Sequence, residues 1–194
     1  MKNINRRDAL RKTAYIMGGT LMAPTIAGIL KGCSPKSDLN WTPAFFTEDQ
    51  ARLITSLTDI ILPKTETPAA SELGVPGFIE EMVSQVSSPE QQTAFMNSLA
   101  AFDQEAKDSL GSAFNELSSE QQSEFANQKH EEMKSGDIDR RNPPFMWTMK
   151  ELTIAGYCLT EVGSNQMLQH VFIPGEYKGC IPVEEAGNGK TWAM

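Results

Sequence analysis

The sequence has few of the residues from which catalytic or metal sites are usually built. It contains two histidines, His130 and His170, and neither has a cysteine, aspartate or histidine at the spacing of a metal site. The Cys-x-x-Cys-His signature of covalent haem and the Gly-x-Ser-x-Gly elbow of hydrolases are both absent. Gly187-Asn188-Gly189 follows no predicted strand and opens no predicted helix, so it indicates a turn rather than a dinucleotide-binding loop. The chain therefore shows no reaction of its own, and an enzyme with an unrecognised site remains an alternative.

The sequence also lacks any long alternation of apolar and polar residues, so no β-sheet is predicted. Two capping boxes, which start at Thr47 and Ser88, precede apolar residues at helical spacing, and Ser118-Ser119-Glu120-Gln121 starts a further helix with few apolar residues. Residues 145–162 carry apolar side chains around much of a helix, which is typical of a central helix or one covered by another protein. We predict one small all-α domain of about five helices, at about residues 47–62, 75–86, 88–110, 118–135 and 145–162.

Cysteines are scarce, and the three present divide by position into Cys33 near the N-terminus and Cys158 and Cys180 near the C-terminus. In an exported protein such a pair favours a disulfide, so we expect Cys158 and Cys180 to be bridged. Two independent free thiols are the alternative. The bridge would attach a long irregular tail, residues 164–194, to the last helix. That tail is too apolar for simple disorder, and we expect it to pack along a surface.

The N-terminus has the layout of an export signal. Residues 1–12 are basic and contain the pair Arg6-Arg7, and residues 13–30 are uncharged. This arrangement predicts a twin-arginine signal peptide. The alternative is a membrane-spanning anchor, but glycine, threonine and proline make residues 13–30 weakly apolar for a span.

Cys33 is the predicted site of lipid attachment. Leu30-Lys31-Gly32-Cys33 resembles a lipoprotein cleavage box, although Lys31 stands where a small or apolar residue is usual. Acyl chains on Cys33 would hold the protein on a membrane. The predicted organisation is a signal peptide over residues 1–32, a tether over 33–44 and a helical domain over 45–194.

The charge of the mature chain excludes one class of partner. Residues 33–194 carry 11 Lys and Arg against 24 Asp and Glu, a net charge of −13. A domain this acidic repels phosphate, so we expect no nucleic-acid binding. The acidic doublets, such as Glu80-Glu81, are most simply solvated faces of helices.

Two groups of residues carry a family resemblance. The first comprises Asp59-Ile60-Ile61-Leu62-Pro63, Thr67-Pro68-Ala69-Ala70 and Gly74-Val75-Pro76, with Ala69 in place of the family's glycine. The second comprises Gly156-Tyr157, Thr160-Glu161-Val162-Gly163 and Pro174-Gly175-Glu176-Tyr177-Lys178-Gly179-Cys180. With these residues the chain resembles, over residues 45–183, the small subunit of membrane-bound gluconate 2-dehydrogenase-type enzymes, called subunit 3 or gamma. His170 stands where this family often has tyrosine, so no ligand role is assigned to it.

The resemblance implies an accessory subunit without a cofactor or a catalytic residue of its own. Its expected partner is a large FAD-dependent flavoprotein of the glucose-methanol-choline oxidoreductase type, which oxidises a sugar, a sugar acid or a glycoside, with a cytochrome as electron acceptor. The small subunit of such a pair is thought to carry the folded flavoprotein through the twin-arginine route. This chain would then lie in the bacterial cell envelope, on the periplasmic side, held to a membrane by its lipid.

A partner needs a contact surface, and we expect it on the last helix and the tail. Aromatic residues dominate the cores of interfaces. The predicted partner-contacting residues are Phe145, Trp147, Tyr157, Phe172, Pro174, Gly175 and Tyr177. The alternative is that the aromatic side chains fill the core of this domain. A stand-alone envelope lipoprotein that binds a ligand or another protein is the second function class.

Overall fold

The computed structural model describes residues 39–136, 139, 143–171, 173, 175–176, 179–182, 184–185 and 189–193. This part of the chain contains five α-helices and no strand, which confirms the predicted all-α class. The helices are α1 (Glu48–Ile61), α2 (Val75–Glu81), α3 (Pro89–Leu110), α4 (Ser119–Ser135) and α5 (Phe145–Leu159). None of them has the length and apolarity to cross a membrane.

Three of the helices start at capping boxes, at the two predicted boxes and at the predicted helix start at Ser118. In each box the cap hydroxyl accepts a hydrogen bond from a first-turn N–H, and a glutamine side chain accepts one from the cap N–H. These pairs satisfy donors that the helix itself leaves free. The boxes are Thr47 with Gln50, Ser88 with Gln91, and Ser118 with Gln121.

α5 is the central helix, because it packs against each of the other four. Its inner face buries Met146, Met149, Thr153, Gly156 and Tyr157. A side chain at Gly156 would place its Cβ 2.6 Å from Phe78 Cδ1, so glycine allows α2 and α5 to approach closely.

α5 is shorter than predicted. The backbone leaves the helix at Thr160, with φ −74° and ψ 160°, and one π-helical turn follows over Gly163–Met167. The Thr160 hydroxyl donates to the Tyr157 carbonyl at 2.7 Å and accepts from the Gly163 N–H at 3.0 Å. Thr160 therefore ends α5 and caps the turn after it, which apolar periodicity alone does not reveal.

Glu80 corrects the interpretation of the first acidic doublet. Its side chain is buried, with 7% exposed, and its carboxylate accepts hydrogen bonds from the N–H groups of Ala44, Phe45 and Phe46 at 2.8 to 3.1 Å. The prediction of a solvated face is wrong for Glu80, because the segment before α1 crosses α2 there. Glu81 is exposed, as predicted.

The predicted Cys158–Cys180 disulfide is absent, and both residues are free thiols. Cysteine count shows that two thiols are available, but a bridge also requires Cβ atoms about 3.5–4.5 Å apart. The end of the tail is held by backbone hydrogen bonds: Gln169 donates to the Thr191 carbonyl and accepts from the Ala193 N–H, both at 2.8 Å. The described part of the tail is irregular after the π-helical turn, as predicted, but it is not fixed by a disulfide between Cys158 and Cys180.

Candidate functional site

A groove of 930 Å³ runs beside α5, and we call it the α5 groove. α4 and α5 supply its walls, and residues from the segments after α5 complete it. Its apolar lining consists of Met133, Trp147, Ile154, Ala155, Leu168 and Trp192. Its polar lining consists of His130, Lys134, Lys150, Glu151, Cys158 and Thr191.

The groove exists because α5 has two apolar faces. Trp147 and Ile154 lie seven residues apart, which places them on one stripe of a helix. This stripe lies opposite the residues that α5 buries in the core. The apolar residues that the sequence places around α5 therefore form two faces, one packed in the core and one left open.

Exposed large apolar side chains are concentrated in α5 and in the segments after it. Seven of the ten exposed large apolar side chains in the described part of the chain belong to α5 or to the segments that follow it. They are Ile154, Leu159, Met167, Val171, Ile173, Ile181 and Trp192. Leu159 is 61% exposed and Ile173 is 76% exposed. Two of them, Ile154 and Trp192, line the groove together, and exposed apolar patches of this kind typically mark a protein or membrane contact.

One end of the groove is basic. Lys150 Nζ lies 3.4 Å from His130 Nε2, a long contact in which the ammonium donates to the imidazole nitrogen. His130 Nδ1 is buried and forms no hydrogen bond among the described residues. The ammonium of Lys134 is paired with Glu131 at 3.1 Å. Lys150 is therefore the one groove lysine without a carboxylate partner among the described residues.

The predicted partner-contacting residues divide between the groove, the core and the surface. Trp147 is half-buried and lines the groove. The ring of Phe145 packs against Phe95 and Phe102, with centroids 5.8 and 5.2 Å away. Tyr157 is 1% exposed, so it fills the core of this domain, as the alternative interpretation held.

Other predicted residues are not brought to the groove or are not described. Gly175 and Cys180 are exposed, and Cys158 lines the groove as a half-buried thiol. Phe172, Pro174, Tyr177, Arg6, Arg7 and Cys33 lie outside the described residues.

Sequence reasoning missed the residues that dominate the open face. Ile154 and Leu159 are aliphatic, and the prediction selected aromatics. The helical spacing of Ile154 from Trp147 was the available signal. Lys150 and His130 are twenty positions apart, and only the packing of α4 against α5 shows that they meet. Within the described ranges no three His, Cys, Asp or Glu side chains are grouped to hold a metal ion.

The two groups of residues that carry the family resemblance meet in the fold. The Tyr157 hydroxyl donates to the Pro68 carbonyl at 2.8 Å, which ties α5 to the loop after α1. Near the end of α1 the Asp59 carboxylate accepts from the N–H and hydroxyl of Ser71 at 2.8 and 2.7 Å, which ties the helix to the same loop. A Cβ at Gly163 would overlap the Tyr157 carbonyl group. These motif residues therefore fix the packing around α5.

Comparison with known families confirms the resemblance. The family model described as gluconate 2-dehydrogenase subunit 3 matches residues 48–175, about two thirds of the chain. The matched range contains all five α-helices and the groove walls that they form. No curated protein and no solved structure gives a significant match. The chain thus belongs to the gluconate 2-dehydrogenase subunit 3 family, whose name describes a subunit of a dehydrogenase complex.

Proposed function

We propose that this chain is the non-catalytic small subunit of a membrane-associated, FAD-dependent dehydrogenase that oxidises a sugar, a sugar acid or a glycoside. The FAD belongs to a large subunit of the glucose-methanol-choline oxidoreductase type, and a cytochrome accepts the electrons. The observation that carries the proposal is the open apolar face of α5 and the residues after it.

The energetics of that face support a partner. Burial of apolar surface stabilises a complex by about 25 cal/mol per Å². The open face offers aliphatic side chains together with Trp147 and Trp192, and tryptophan is enriched among the residues that contribute most to binding. A subunit that leaves such a surface exposed gains stability when a second subunit covers it.

The N-terminal sequence supports a role in export. A twin-arginine signal is suited to cargo that folds before transport, and a flavoprotein with bound FAD is such a cargo. The pair Arg6-Arg7 would route the complex to the periplasmic side, and acylated Cys33 would hold it on a membrane. The small subunit therefore supports export, maturation and membrane placement of its partner.

Co-expression tests this function. The flavoprotein is produced with the full chain, without it, and with the Arg6→Lys/Arg7→Lys variant, and its periplasmic fraction and flavin absorbance are measured. We expect periplasmic, FAD-loaded flavoprotein only with the unaltered chain. Normal export of the flavoprotein in the absence of this chain would contradict the proposal.

A stand-alone envelope lipoprotein is the second candidate. The size of the α5 groove and its basic end would also suit a small amphipathic ligand. Such a protein would purify as a stable monomer and would show no binding to the flavoprotein, so the same preparations separate the two functions.

A further inference from the structure

The α5 groove has basic side chains in its apolar lining. Lys134, Lys150 and His130 line it together with one carboxylate, Glu151. Because Lys134 is paired with Glu131, Lys150 is the groove cation available to an anionic group.

Lys150 differs from the other described lysines in its partner. Lys64, Lys107, Lys129 and Lys134 each form an ion pair with a carboxylate. Lys190 donates to the Gln166 carbonyl at 2.7 Å. In the described part of the chain, Lys150 contacts only the His130 imidazole, and that contact is 3.4 Å long. An ammonium gains more from a carboxylate than from a distant imidazole nitrogen.

We propose that the α5 groove binds an apolar segment of the flavoprotein subunit, and that a carboxylate on this segment pairs with Lys150. The inference rests on the proposed function. A protein segment is favoured over a small molecule because other exposed apolar side chains, Leu159 and Met167 among them, lie outside the groove lining. A ligand confined to the groove would leave those side chains in water.

The two parts of the groove then have different roles. Ile154 and Trp192 supply apolar contact, which governs how slowly the complex dissociates. Lys150 selects the position of the carboxylate and raises the association rate at low salt. The Lys150 contribution should therefore depend on ionic strength, and the Ile154 contribution should not.

Affinity measurements with matched variants test the inference. Purified flavoprotein is titrated against the unaltered chain, Ile154→Glu and Lys150→Gln by biolayer interferometry at 50 mM and 500 mM NaCl. The controls are Val86→Glu, a charge on an apolar side chain that is 67% exposed and does not line the groove, and Lys64→Gln, whose lysine also lies elsewhere. Thermal melting of each variant verifies that it is folded.

We expect Ile154→Glu to weaken binding about tenfold or more at both salt concentrations. Lys150→Gln should weaken it about three- to tenfold at 50 mM NaCl and much less at 500 mM NaCl. Both controls should have a dissociation constant within about twofold of that of the unaltered chain, because surface changes away from an interface have small effects.

The outcomes separate this inference from the proposed function. If the unaltered chain does not bind the flavoprotein, the proposed function itself is wrong. If it binds and both groove variants bind equally well, the function stands and the groove inference is overturned. If only Ile154→Glu weakens binding, the carboxylate pairing is overturned. A dimer of the chain alone that Ile154→Glu dissociates would identify a second copy as the occupant and would also overturn the inference.

Discussion

Single residues decide how closely the central helix packs and how the N-terminal segment is held. Gly156 allows the ring of Phe78 to pack directly against α5. Buried Glu80 accepts hydrogen bonds from the N–H groups of three consecutive residues. The sequence shows Gly156 only as a glycine in a helix and Glu80 only as one of two adjacent glutamates, so it does not predict either role. Their roles arise from neighbours that are 78 and about 35 positions away in the chain.

Gly156→Ala should destabilise the fold by about 1–3 kcal/mol, because the new methyl group overlaps the Phe78 ring and the two helices must separate. Urea denaturation measures the free energy of unfolding. Gly136→Ala is the matched control, since a Cβ there meets its nearest atoms at 3.8 Å, an ordinary contact. Equal stability of the two variants would contradict the close approach.

Glu80→Gln should destabilise the fold by about 1.5–3 kcal/mol, because a neutral amide oxygen is a weaker acceptor for the three N–H groups than a carboxylate. Glu81→Gln, on the exposed neighbour, is the control and should leave the unfolding free energy nearly unchanged. The measurement is again urea denaturation, and a comparable loss in both variants would show that the buried bonds are not the cause.

At the scale of elements, α3 and α4 are joined by both apolar and ionic contacts. Phe102 of α3 meets Phe125 of α4 with centroids 5.1 Å apart. Lys129 of α4 forms ion pairs of 2.8 Å with Glu105 of α3 and with Glu132. The hydrogen bonds to these carboxylates raise the pKa of Lys129, and the Lys129 ammonium lowers the pKa of Glu132. Residue spacing predicts the Glu132 pair, but only helix packing brings Glu105 near.

The Lys129 ion pairs give stability a dependence on pH. Since the pKa of Glu132 is lowered by folding, its contribution is present above the ordinary glutamate pKa and is lost as the pH falls through the lowered value. The contribution of Lys129, whose pKa is raised, is present below the ordinary lysine pKa and is lost only as the pH rises through the raised value.

Lys129→Met should therefore reduce the melting temperature near pH 7 and have a smaller effect near pH 3, because the contribution of Glu132 is lost as the pH falls. The control Lys64→Met removes a pair with 68% and 45% exposed side chains and should change the melting temperature less at both pH values. A Lys129→Met effect that is equal at pH 3 and pH 7 would show that packing, rather than charge, is lost.

The capping boxes are the elements that the sequence predicts best. Their signal is local, because the hydroxyl, the glutamine and the first-turn N–H groups lie within four residues of one another. The end of α5 is harder to predict, since apolar residues continue through Val162 while the backbone turns at Thr160.

For the whole molecule, the exposed apolar face should make the isolated chain bind hydrophobic probes. The chain without its partner should enhance the fluorescence of 8-anilinonaphthalene-1-sulfonate, because the open face of α5 offers apolar surface to the dye. The double variant Ile154→Glu/Leu159→Glu should lose most of the enhancement, and Val86→Glu should retain it. Equal fluorescence from all three proteins would place the apolar binding surface elsewhere.

The absence of the disulfide is also a property of the whole fold. Both thiols of the folded, unreduced protein should react with an alkylating reagent, exposed Cys180 faster than half-buried Cys158. Mass spectrometry would count the added groups. If neither thiol reacts until a reductant is added, Cys158 and Cys180 are bridged and the prediction of free thiols is wrong.

The sequence by itself determined the helical class, the starts of three helices and the family resemblance, because these depend on residues close together in the chain or on motifs. The tertiary structure decided which face of α5 is core and which is open, where Tyr157 and Glu80 are buried, and that Lys150 meets His130. These outcomes depend on contacts between distant segments. An all-round apolar helix has the same sequence pattern whether its outer face is covered by this domain or left open, so only packing distinguishes the two.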